Sequence, residues 1–143
     1  MSDEGAAAGP GGRDGAAEEA ALTDLVERES AYGLLQRAHL LQGRRHHAQA
    51  AVLLERALGL EPGKGSILEP LARAYYNGGQ WAAAARTFER LIEIDPSTAW
   101  GHFGLGQSLK RLGRIDEART HLRLAVALSP GSALYRSALA RLG

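Results

Sequence analysis

The sequence predicts an all-α fold, an α-solenoid of three tandem helix-turn-helix repeats. Three observations predict it. Pro62, Pro96 and Pro130 stand 34 residues apart and close the similar phrases LERALGLEP, FERLIEIDP and LRLAVALSP. Small and large apolar positions keep the same interval: Ala50, Ala84 and Ala118, then Leu54, Phe88 and Leu122, then Leu60, Ile94 and Leu128. Upstream of each set lies a second stripe of helical period, with Ala38, Ala72 and Gly106 followed three residues on by Leu41, Tyr75 and Leu109. A fixed interval of this length marks one supersecondary unit copied in tandem.

Taken in order, residues 1–15 are rich in Gly, Ala and Pro without an apolar period and are expected to be disordered. Helical character follows, and 16–30 reads as an N-terminal helical extension. The repeats occupy about 31–64, 65–98 and 99–132. In the first, Arg45 stands where the later copies carry the turn glycines Gly79 and Gly113, and Gly43 offers another place for the turn. In the second, Pro70 falls within the first helix. The reading places it in the opening turn, behind a Ser66-x-x-Glu69 capping box, where proline is tolerated. The alanine run 82–85 marks a helix crossing: a small residue on each helix, such as Ala72 facing Ala84, lets the axes approach, and Phe88 fills the space beside it. Gly106 plays the small part in the third repeat. Proline after each second helix ends it, because it lacks the amide donor and disfavours a helical residue before it. The stretch ALYRSALARLG, 133–143, repeats the spacing of a first helix and reads as a C-terminal capping helix.

Composition removes several classes of function. Without cysteine there is no disulfide, no thiol nucleophile and no Cys-ligated zinc. The start MSDEGAAAGPGG lacks the basic and apolar regions of a signal peptide, and no stretch approaches the ~20 apolar residues of a membrane span. A cytoplasmic protein is expected, and the wealth of Ala, Gly and Arg suits a bacterium with a GC-rich genome. The formal charge of +1 hides a division: residues 1–30 carry a net −6 and the remainder a net +7. An acidic segment is thus tethered to a basic body.

No motif for catalysis stands out. His46 and His47 are adjacent and point about 100° apart on a helix. His39, His102 and His121 lie at no ligand-like spacing, so no metal is expected. PGKGS, 62–66, departs from a phosphate loop because Gly65 follows Lys64 where Ser or Thr is required. Gly101, Gly104 and Gly106 do not form a dinucleotide fingerprint, since no strand precedes them and Leu109 takes the third glycine's place. The chain is expected to be no enzyme and to need no cofactor.

The repeat resembles the tetratricopeptide repeat, with its W-x2-L-G-x2-Y…A-x3-F…P pattern. The second copy reads Leu68-x2-Leu71-Ala72-x2-Tyr75…Ala84-x3-Phe88…Pro96. The third reads His102-x2-Leu105-Gly106-x2-Leu109…Ala118-x3-Leu122…Pro130. The first, Leu34-x2-Arg37-Ala38-x2-Leu41…Ala50-x3-Leu54…Pro62, departs most, with Arg37 in an apolar place. The resemblance covers about 31–130 and implies a protein-protein interaction module whose concave face, lined by the first helix of each pair, takes a peptide. Carried over by position, the candidate binding residues are Tyr32, Leu35, His39 and Gln42 from the first copy. The second supplies Ser66, Glu69, Arg73 and Tyr76, and the third Trp100, Phe103, Gln107 and Lys110. An alternative is that Trp100 and Phe103 pack against the capping helix at Leu134.

Family members that clamp a C-terminal carboxylate do so with Lys, Asn and Arg. Here those places hold Leu35, His39, Arg73, Trp100 and Gly104, so the resemblance does not imply a chaperone-tail receptor. The expected ligand is a protein or peptide with an apolar or aromatic anchor and some acidic character, meeting Arg73, Lys110 and Arg111. The alternative is a basic nucleic-acid-associated accessory protein, on the strength of the +7 body. Against it, Arg44-Arg45, Arg86-Arg90 and Arg119-Arg123 fall on different helix faces and read as solvated.

Overall fold

The structure of the protein is a computed structural model, which describes residues 15–143. Eight helices and no strand are found among the described residues. They are α1 (Gly15–Glu29), α2 (Ala31–Gly43), α3 (His47–Leu60), α4 (Gly65–Asn77), α5 (Trp81–Ile94), α6 (Ala99–Arg111), α7 (Ile115–Leu128) and α8 (Ala133–Leu142). Gly15 opens α1, and the rest of the expected disordered tail lies outside the described residues. The bounds of α2 and α3 recur 34 residues later in α4 and α5, and again in α6 and α7. Each helix packs against its chain neighbours, and α2 also reaches α4. This is an all-α solenoid of three helix pairs closed by α8.

The turns inside the pairs are built alike. Arg45, Gly79 and Gly113 hold φ of 63°, 80° and 81°. The next N–H groups, of His46, Gln80 and Arg114, return to the carbonyls of Leu41, Tyr75 and Leu109 at 2.8, 2.8 and 2.9 Å. Arg45, Gly79 and Gly113 themselves donate to Gln42, Tyr76 and Lys110. These paired bonds are the Schellman arrangement, which needs a left-handed residue after the helix end. The turn in the first repeat therefore falls on Arg45, and Gly43 is simply the last residue of α2. The bond pattern outweighs the local cost of a side chain at positive φ.

Pro70 departs from the expectation. Lys64 is the N-cap of α4 and has no side-chain cap bond, so the Ser66-x-x-Glu69 box does not form. Pro70 is then the sixth residue of the helix and not part of its opening turn. It brings no N–H to the Ser66 carbonyl one turn back. Both residues border an open concavity, so the freed carbonyl is not sealed in the core. Side-chain caps do form at the matching positions elsewhere: Ser30, Thr98 and Ser132 accept from Gly33, Gly101 and Tyr135 at 3.0, 3.1 and 3.2 Å.

The core follows the small-and-large columns. Ala38, Ala72, Ala50, Ala84 and Ala118 are buried, as are Leu54, Phe88 and Leu122 beside them. A Cβ added at Gly106 would come within 2.8 Å of Leu122 Cγ and 3.2 Å of the Ala118 carbonyl oxygen, so α6 and α7 touch there. Leu60, Ile94 and Leu128 keep the interval but lie exposed in the last turn of their helices.

Candidate functional site

The first helices of the pairs, α2, α4 and α6, line two adjoining cavities. The larger, about 1080 Å³, lies between α2 and α4. Leu35, His39 and Gln42 form one wall, with Ser66, Glu69 and Arg73 opposite. Gln42 spans it, donating from Nε2 to the Pro70 carbonyl at 2.9 Å. The smaller, about 280 Å³, lies between α4 and α6 and is lined by Arg73, Tyr76, Trp100, Phe103 and Gln107. Arg73 borders both, so the two form one run across the repeats.

Two candidates stand apart from these walls. Tyr32, at the start of α2, is exposed and its hydroxyl accepts from Gln36 Nε2 at 2.8 Å. Lys110 is exposed at the end of α6 and lines neither cavity. Neither is drawn into the groove.

The smaller cavity has an aromatic interior. Trp100 meets Phe88 edge to face, with ring centroids 5.1 Å apart. Phe88 comes from α5, and it reaches the cavity only because Gly104 has no side chain: a Cβ there would overlap its ring. The Arg73 guanidinium lies 5.2 Å from the Trp100 ring centroid. The attraction of a cation to an aromatic face holds both side chains at the rim. Arg111 is held in the same way, 5.2 Å from the Trp81 ring centroid, while its Nε donates to the Tyr76 hydroxyl at 3.4 Å. Phe103 is half-buried and its ring lies 4.8 Å from that of Tyr135 on α8. It is at once a cavity wall and a contact to the capping helix. That contact runs through Tyr135, since Leu134 is exposed.

Sequence spacing does not reveal a pair of histidines behind this face. His102 is buried where Leu34 and Leu68 stand in the other repeats. Its Nε2–H donates to the Pro96 carbonyl at 2.9 Å, which leaves Nδ1 of the neutral ring as an acceptor. His121 on α7 lies with its Nδ1 3.1 Å from that atom, its ring centre 5.3 Å from that of His102 and the two ring planes nearly parallel. In the neutral pair His121 Nδ1–H is therefore the donor. Burial first, and the His102 charge second, hold the His121 imidazole below its ordinary pKa, against the pull of Glu89 and Glu117. Near α3, the Tyr75 hydroxyl donates to Glu55, and burial with this bond pushes the phenol well above its ordinary range. No group of three metal-ligating side chains is found among the described residues.

The chain has counterparts in sequence and in fold among known proteins. Mouse superkiller complex protein 3 is 29% identical over 114 residues, which cover 76% of this chain and 7% of that protein. The chain thus spans a small part of that relative's length. MamA, residue 41 to the end, from Desulfovibrio magneticus RS-1 superposes with a TM-score of 0.77 at 18% identity, over 81% of this chain and 66% of that one. The second TPR domain of human RPAP3, in complex with an HSP70 peptide, gives 0.73 at 18% identity, over 78% of this chain and 93% of that one. The tetratricopeptide repeat family model matches twice, over residues 35–99 and 69–133, so that the two matches run through all three helix pairs. With the turns, crossings and terminal prolines repeating in step, the chain belongs to the tetratricopeptide repeat family.

Proposed function

We propose that the chain is a non-catalytic interaction module that takes a segment of a partner protein along α2, α4 and α6, in assembling or scaffolding a larger complex. The observation that carries this is the aromatic cavity at the junction of the second and third repeats, where Trp100 and Phe103 stand half-buried beside the cationic Arg73. Half-buried aromatics in a concavity are the usual anchors of an interface. The human RPAP3 domain, built on the same fold, is in complex with a peptide. In this chain the smaller cavity favours an apolar or aromatic anchor with acidic neighbours, since Arg73 is the charged side chain on its wall, while the larger cavity sets Glu69 beside Arg73. On composition alone we place the protein in the cytoplasm of a bacterium. Among the described residues no helix is long and apolar enough to cross a membrane.

Selection of phage-displayed random peptides on the full chain tests the reading. Enriched peptides are expected to carry a large apolar residue beside acids and, in NMR titration, to move resonances of Arg73, Tyr76 and Trp100. Peptides that map instead to α3, α5 and α7, or no enrichment at all, would contradict it. Affinity for single-stranded DNA that fell steeply with salt would favour the nucleic-acid alternative.

A further inference from the structure

The charges along the groove are held apart. Glu69 and Arg73 stand four residues apart on α4, in the order that favours an ion pair along a helix. No Glu69–Arg73 ion pair is found among the described residues. The Arg73 guanidinium lies instead over the Trp100 ring, on the side of the smaller cavity. Glu69 borders the larger cavity and not the smaller one, and its carboxylate is exposed. Pro70 adds a second acceptor beside it. A helical carbonyl points to the residue four ahead, so the Ser66 carbonyl faces the Pro70 ring, which offers it no N–H. Both residues border the same cavity. Leu35 and Leu40 line that space from α2, and His39 and His47 border it, a neutral imidazole having one acceptor nitrogen.

We propose that the larger cavity takes a basic side chain of the partner segment, its cation set against the Glu69 carboxylate and the Ser66 carbonyl. The inference rests on the groove reading above and makes the ligand bipolar, with a base toward α2 and the start of α4 and an acid toward Arg73. A lysine or arginine head brings donors and no acceptor, so it asks nothing of the cavity beyond the acceptors already there. Its methylene stem can lie along Leu35 and Leu40, as long cationic side chains do on apolar surface. An acidic side chain would meet the Glu69 charge, with the Arg73 cation drawn away to Trp100. A neutral apolar residue fits beside the leucines but leaves both acceptors to water. A metal ion is another cation, but no group of three metal-ligating side chains is found among the described residues.

The test uses the full chain, labelled for NMR, and two capped peptides: acetyl-lysyl-leucyl-tryptophyl-glutamyl amide, and the same peptide with norleucine for lysine. Norleucine keeps the stem and drops the charge. The lysine form should move the amide resonances of Glu69 and of Ile67, which shares its peptide bond with the Ser66 carbonyl. It should bind about fivefold more tightly than the norleucine form at low salt, and the gap should narrow as salt rises. In Glu69→Gln the two peptides should bind within about twofold of each other. Glu69 is exposed, so this variant keeps the fold, which a melt beside the parent checks. Pro70→Ala gives the Ser66 carbonyl a helical N–H and should lower the lysine preference about twofold; an undiminished preference would take the carbonyl out of the site. A lysine preference that survives whole in Glu69→Gln would overturn the proposal. If both peptides bind the unaltered chain alike and move the Arg73 and Trp100 resonances, the basic site falls while the groove reading stands. If neither moves a groove resonance, the basic site is overturned and the groove must stand on the display selection alone.

Discussion

Arg45 carries a cost that its counterparts avoid. A side chain in left-handed backbone costs about 1–2 kcal/mol, whereas glycine loses roughly 0.5–1 kcal/mol more chain entropy on folding. The first effect outweighs the second, so Arg45→Gly should gain about 0.5–1 kcal/mol, read as a higher urea midpoint. Gly113→Ala should lose about as much, since Gly113 holds the same conformation. The histidine pair gives a second prediction. His121 binds its proton less readily in the fold than in the unfolded chain, where the pKa is near 6.5. The unfolded state therefore binds more protons in this range, and the stability contribution is complete above about 6.5 and lost as pH falls through the lower folded value. His102→Leu with His121→Thr copies Leu68 and Thr87 from the second repeat and should flatten the fall in stability between about pH 7 and 5. An unchanged pH slope in urea melts would remove the pair from the account. None of this pairing is legible in the sequence: the partners are 19 residues apart, and only the antiparallel return of α7 brings their rings together.

At the scale of the element, the tetratricopeptide spacing is legible because each column answers a steric demand. Ala72, Ala84 and Gly106 are small where helices cross, and Gly79 and Gly113 are glycines where the backbone turns left-handed. The exceptions are the places where one bond pattern compensates for an ill-suited residue, as at Arg45, or where solvent does, as at Pro70. Gly106→Leu should overpack the α6–α7 contact and cost about 1–3 kcal/mol or more. Its stability in chemical denaturation, compared with the parent, checks the pairing directly. Phe103 and Leu105 divide the two faces of α6. Leu105 is buried, and Leu105→Ala should cost about 2–5 kcal/mol. Phe103 is half-buried between cavity and Tyr135, so Phe103→Ala should cost less, about 1–2 kcal/mol with the aromatic contact included. Should both variants melt together, Phe103 would be a core residue and not a groove wall.

For the whole molecule, stability sums over neighbouring pairs, while the binding proposed above needs α2, α4 and α6 to present their faces in one run. Arg73 is where that run joins, bordering both cavities and lying over Trp100. The position is legible in the sequence as one of a column of groove residues, but its contact with Trp100 depends on how two repeats stack. We propose that an acidic, apolar-anchored segment binds across this point. The most direct test is the affinity of display-selected peptides for the parent chain and for Arg73→Glu, with thermal melts of both. Arg73 is exposed, so its reversal forfeits little more than the cation–π contact with Trp100 and should cost no more than about 1 kcal/mol of stability. Binding should fall about tenfold or more, most at low salt. Undiminished affinity in Arg73→Glu, with an unchanged melt, would contradict it.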